Sequence, residues 1–179
     1  MDQVIKVWDP VVRLFHWSLV ASFAVAWVTA EEWATLHNWA GYAAAALIAF
    51  RLLWGLVGTK YARFGQFIRS PSTVMQFAQA MLRREEPRYV GHNPAGSWMI
   101  IGLIVAMGIT ALTGWMYTLD LFWGEEWVEE THEAVANLLL GMVAIHVAGV
   151  LYTSYAHSEN LVRAMLTGRK RGAGAGDIS

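Results

Sequence analysis

Six histidines and no cysteine set the limits on what chemistry this chain can do. Without thiolates there is no disulfide, no cysteine-ligated zinc or iron–sulfur cluster, and no haem attached through a CxxCH sequence. A redox or metal centre must therefore be held by imidazole or by methionine sulfur. His132 and His146 stand 14 residues apart in one apolar stretch. On a helix that spacing is about 21 Å of rise and nearly four whole turns, so both rings leave the same face at two depths. His16 and His37 stand near the ends of two other apolar stretches. Any one of these histidines alone also reads as a polar side chain satisfied between helices. Ionisable groups in apolar segments are costly, however, which makes the four together a functional constellation.

The elements that position them are membrane spans. The chain has 179 residues, of which 56% are hydrophobic and only 15% charged, against roughly 25% charged in soluble domains. Crossing a bilayer takes about 20 mostly apolar residues in a helix. Four segments qualify, at about 11–30, 37–57, 98–117 and 132–155. Strand-like alternation is not sustained anywhere, which argues against a membrane β-barrel. The expected fold is an all-α membrane protein, a four-helix transmembrane bundle forming a single membrane domain over 1–179. The first span is read as a retained helix and not a cleaved signal, because it has spanning length.

Charge placement orients the bundle. All thirteen Lys and Arg residues fall on one side: Lys6 and Arg13, then Arg51 to Arg88, then Arg163 to Arg171. The opposite loops carry Glu31, Glu32, Asp120, Glu125, Glu126, Glu129, Glu130 and Glu133, with no basic residue. Basic residues stay on the cytoplasmic side. The expectation is a multi-pass protein of the bacterial inner membrane with both termini and the loop 58–97 inside. In that loop Ser70-Pro71 marks a helix start. Val74, Phe77, Ala78, Met81 and Leu82 follow at helical spacing, giving a short amphipathic helix in the inner interface. The alternative is a docking surface for a cytoplasmic partner. The Gly-rich segment 172–179 reads as a flexible tail. Trp8, Trp33, Trp98, Trp123 and Trp127 fall where interfacial anchors belong.

With orientation assigned, the histidines match in depth. His16 and His146 lie at the inner level, His37 and His132 at the outer level. Tetrahedral zinc needs three or four ligands converging at one depth, whereas each level offers two. Two axial imidazoles are what a six-coordinate haem iron takes, so the pattern points to two haem sites, one above the other. Having no open coordination position, such a site suits electron transfer better than oxygen binding. Gly41 and Gly149, about one turn from His37 and His146, leave room for a porphyrin edge, or else mark ordinary close helix packing. Arg13 and Arg51 are candidates to pair with haem propionates, against simple snorkelling to the interface. His92 and His157 are candidates for proton uptake or quinone binding, or are structural.

At this point the sequence resembles the prokaryotic cytochrome b561 family, close to the b-type cytochrome subunits of nickel–iron hydrogenases. The stretches that carry the likeness are VWDPVVRLFHW (7–17), LHNWAGY (36–42), FRLLWGLVG (50–58), GHNPAGSWM (91–99) and HSENLVRAMLTGRKR (157–171). The resemblance implies a four-helix bundle with two haems b on ligands matching His16, His37, His132 and His146. It also implies electron exchange with quinone and with a periplasmic or membrane partner. On this reading the chain is a di-haem cytochrome passing electrons between quinone and a periplasmic redox protein, such as a c-type cytochrome or a hydrogenase-like subunit. Glu125 to Glu130 would steer a basic partner, or simply form a solvated loop. Two other readings stand beside it: a self-sufficient superoxide:quinone oxidoreductase, and a haem-free membrane anchor or proton or metal carrier. No nucleic-acid partner is expected, and the oligomeric state is open.

Overall fold

The computed structural model describes residues 4–178. In chain order it comprises strand β1 (Val4–Lys6), helices α1 (Pro10–Thr29), α2 (Ala34–Val57), α3 (Phe64–Phe67), α4 (Pro71–Arg83), α5 (Pro94–Tyr117), α6 (Glu126–Ala156) and α7 (Leu161–Thr167), and strand β2 (Arg169–Arg171). Helices α1, α2, α5 and α6 are each long and apolar enough to cross a bilayer. The chain is an all-α membrane protein built on four such helices.

Three of these helices begin before their apolar run. Pro94 opens α5 behind Asn93, whose Oδ1 accepts the Gly96 N–H at 2.7 Å. Glu126 and Glu129 occupy the first turn of α6, where carboxylates favour the positive end of the helix dipole. Hydropathy registers only the lipid-compatible part of a helix, whereas backbone hydrogen bonding continues to the cap. His37 and His132 consequently sit inside α2 and α6, not at their ends. Asp9 caps α1 by accepting the Val12 N–H at 2.9 Å and the Thr59 hydroxyl at 2.6 Å.

The chain divides into two compact units. One comprises Leu14–Leu53 and Gly102–Val143. Its core joins all four long helices: Leu19 and Phe23 of α1, Ala44 and Ile48 of α2, Ala106 and Met107 of α5, and Leu139 and Met142 of α6. Small residues at Ala44 and Ala106 let the helix axes approach closely, as membrane packing requires. Apolar side chains such as Val28, Leu53 and Leu138 face outward, which suits lipid as the surrounding solvent.

The other unit gathers the residues up to Arg13, Trp54–Ile101 and everything from Ala144 on. Twelve of the thirteen basic residues belong to it, Arg51 being the exception. Strands β1 and β2 pair antiparallel, Ile5 opposite Lys170. Trp8 packs with Val7, Val90 and Ala164 in a small core and is only 7% exposed. Its side chain is therefore packed within the protein and not presented outward as an anchor would be. Position relative to a span end suggests an anchor, but the strand and loop that fold over Trp8 come from distant parts of the chain. Gly168 ends α7 with a positive φ of 79°. A Cβ there would come within 2.5 Å of the Trp8 carbonyl oxygen.

The amphipathic helix expected after Ser70 forms as α4. Ser70 Oγ accepts the Thr73 N–H at 3.3 Å, Phe77 is buried against Tyr89, and Met75 and Leu82 are exposed. Beyond it, Arg88 is the polar hub of the unit. Its guanidinium donates to Glu159 at 2.8 and 3.3 Å, to the Arg171 carbonyl at 2.7 Å, to the Gly172 carbonyl at 3.3 Å and to Asp177. Lys170 lies 3.2 Å from Glu159. Burial pushes the Lys170 ammonium down, with Glu159 opposing. Burial works to raise the Glu159 carboxyl, but Arg88 and Lys170 outweigh it and hold it below its ordinary range. Within the segment read from sequence as a flexible tail, Asp177 bonds to Arg88 and the Ile178 carbonyl accepts the Val90 N–H at 2.8 Å.

Candidate functional site

Helices α2 and α6 bring the His37 and His132 rings together, edge to face, within the four-helix unit. Their ring centroids lie 6.0 Å apart with planes at 74°. Each ring is half-buried, and each is fixed through Nδ1. The His37 Nδ1 lies 2.8 Å from the Ala26 carbonyl oxygen. Ala26 is in the last turn of α1, where carbonyls are open to side-chain donors; its oxygen also takes a longer bond from the Thr29 hydroxyl at 3.4 Å. The His132 Nδ1 lies 2.9 Å from the Thr110 carbonyl oxygen and 3.2 Å from Thr113 Oγ1.

Carbonyl oxygens only accept, so both Nδ1 atoms are donors and Nε2 is the nitrogen of each ring left to ligate. This is the arrangement of metal-binding histidines, in which the outer nitrogen bonds a carbonyl and fixes tautomer and orientation.

Two bonds of about 2 Å from imidazole nitrogens to one metal, with about 1 Å more to each ring centre, place the centroids roughly 6 Å apart. The observed separation meets that requirement. Around the rings runs a largely apolar slot, open at its mouth. Its wall includes Gly41, Ala44, Ala111, Gly114, Ala136 and Trp27. A Cβ on Gly41 would meet nothing within 4 Å, so there is free space over the α2 backbone beside His37. At Gly114 the reason for glycine is different: a Cβ would come within 2.9 Å of His132 Cε1. Small residues thus leave room for a flat apolar group and for the ring that would ligate it. Among the described residues no cluster of three or more His, Cys, Asp or Glu forms, so the paired imidazoles, not a polydentate cage, are the available ligands.

The sequence profile described as Prokaryotic cytochrome b561 matches residues 7–168. The chain belongs to the prokaryotic cytochrome b561 family. No curated protein and no solved structure matches it. Membership makes this a membrane b-type cytochrome of electron transfer and implies that it binds haem b, which the His37–His132 pair and its small-residue slot fit.

The other residues singled out from the sequence are placed as follows. His16 is half-buried on α1, edge-on to Trp17 at 5.1 Å. His146 is half-buried on α6. Arg13 donates to the Leu166 carbonyl, a contact that ties the first turn of α1 to α7. Arg51 on α2 is 4% exposed, so its charge is enclosed within the protein. His92 is half-buried between Trp8 and Phe67, its ring tilted against both at centroid distances of 4.6 and 4.5 Å. The b561 sequence did not single out Thr110, Thr113, Gly114 or the Ala26 carbonyl. A Thr-Gly pair inside an apolar helix is the one signal for them, and it is weak because both residues are common in membrane helices.

Proposed function

We propose that this protein is a di-haem b-type cytochrome of the inner membrane, carrying electrons between quinone and a periplasmic redox partner. The observation that carries the reading is the His37–His132 pair, with two Nδ1–H groups anchored on carbonyls and two Nε2 atoms left to ligate. Haem bound there would supply a one-electron centre. His16 and His146 are the proposed ligands of a second group. The 14-residue spacing of His146 from His132 on the unbroken helix α6 supports that assignment, being about 21 Å of rise at nearly the same rotation.

The residues of the chain do the rest. With two imidazoles as its protein ligands, a haem held there would have no position left open to water, and the fixed tautomers avoid reorganisation on electron transfer. Arg13 and Arg51 are the proposed propionate partners, and the charge bias of the loops supports cytoplasmic termini. A c-type cytochrome or a hydrogenase-like subunit is the proposed class of partner, facing the acidic loops.

The test is a reduced-minus-oxidised spectrum of purified protein with haem quantification. Two haems b per chain are expected, with at least one re-oxidised by a soluble quinone analogue. A fully loaded preparation with one haem or none would overturn the reading.

A further inference from the structure

The two imidazoles of the His37–His132 pair are held differently. His37 Nδ1 meets the Ala26 carbonyl, whereas His132 Nδ1 faces two oxygens, Thr110 O at 2.9 Å and Thr113 Oγ1 at 3.2 Å. Thr113 is 5% exposed. Its hydroxyl has its own acceptors in the preceding turn, Ile109 O at 2.9 Å and Thr110 O at 3.1 Å. A hydroxyl whose proton is committed to a carbonyl offers its lone pairs to a neighbouring donor. Thr113 Oγ1 therefore accepts from the His132 ring N–H, which is shared between two oxygens. The adjacent Gly114 makes this approach possible, since any Cβ there would displace the ring.

We propose that Thr113 is a positioning residue that fixes the rotation of His132 and increases its electron donation, lowering the reduction potential of the haem bound at this pair. The inference rests on the haem reading above. Hydrogen bonds to the outer nitrogen of a ligating imidazole raise its basicity, and stronger donation favours the oxidised metal. Axial-ligand electronics and hydrogen bonding of this kind are established levers on haem potential.

The experiment is a spectroelectrochemical titration of the full-length, haem-loaded protein and of two variants. Thr113→Val keeps the volume and removes the hydroxyl; Thr113→Ser keeps the hydroxyl. Thr113→Val is expected to move the one-electron equilibrium of this haem about fivefold toward the reduced form, about 41 mV upward at 59 mV per decade. Thr113→Ser is expected to stay within about twofold of the wild type. Haem lost from Thr113→Val but kept by Thr113→Ser also supports the role. A shift below twofold in Thr113→Val with haem retained, a shift of opposite sign, equal shifts in both variants, or haem loss from both would each overturn it. Wild-type protein lacking haem at His37–His132 overturns the parent reading instead, and shows itself before any variant is made.

Discussion

Gly114 and His132 compete for one volume: a methyl group on Gly114 would stand 2.9 Å from Cε1 and 3.2 Å from Nδ1 of the ring. The side chain that α5 lacks is what lets α6 bring its imidazole against the Thr110 carbonyl. Overpacking of this kind costs about 1–3 kcal/mol, and a haem held by two axial bonds would lose much of one. Gly114→Ala is expected to weaken haem binding at this pair by tenfold or more while the four helices remain. Haem retention during gel filtration, with circular dichroism as the control for folding, measures it.

Gly41 predicts the reverse pattern. Its backbone borders open space, so Gly41→Leu should leave haem-free protein at least as stable, glycine being about 1 kcal/mol worse than alanine within a helix. Haem loading at the His37–His132 pair should nevertheless fall, because the new side chain fills the slot. Melting of the apoprotein and haem titration, run side by side, separate the two effects. Unchanged loading would show that the slot is not the haem site.

Ligand losses are expected in pairs. His37→Ala and His132→Ala should each remove the same spectral component, and His16→Ala and His146→Ala should each remove the other. Low-temperature difference spectra of the four variants provide the comparison. A component lost in both His16→Ala and His37→Ala would refute the pairing.

Arg88 is a stability prediction independent of haem. It is buried, and it bonds both Glu159 and Asp177. Breaking a buried ion pair from one side costs about 3–5 kcal/mol. Arg88→Met should therefore loosen the unit that contains β1 and β2. Faster amide exchange in β1, β2 and 172–178, with the span segments unchanged, is the expected signature.

The same cluster gives a pH dependence. Burial acts to raise Glu159, but the Arg88 hydrogen bond and the Lys170 charge win and leave it lowered. Asp177 is lowered chiefly by the Gly174 N–H, against a smaller opposing effect of burial, with Arg88 adding to the lowering. A carboxyl lowered in the folded state stabilises fully above its unfolded pKa, about 4, and that stability is lost as pH falls through the folded value. Exchange protection of β2 and 172–178 should hold from neutral pH to about 5 and decline below it. Glu159→Gln should flatten most of that decline.

Much was legible in the sequence. Four apolar runs, the one-sided distribution of Lys and Arg, and the 14-residue interval between His132 and His146 are local or additive properties of the chain. Bilayer thickness and helical rise convert the apolar runs into four spans, and the charges and the histidine interval into the proposed orientation and depths. The Ser70-Pro71 start of α4 was readable for the same reason, since a cap is decided within a few residues.

The tertiary structure decided what these patterns cannot encode. Every residue has a carbonyl, so nothing in the sequence singles out those of Ala26 and Thr110 as the acceptors that fix two imidazoles. Thr113 and Gly114 look like ordinary small residues until α6 lies against them. Trp8 becomes a core residue only when β1, the loop around Val90 and α7 converge on it, and Asp177 gains a partner only because Arg88, 89 residues away, is brought to it. Periodicity and hydropathy are sums over neighbours in the chain, whereas hydrogen-bond geometry and excluded volume depend on neighbours in space.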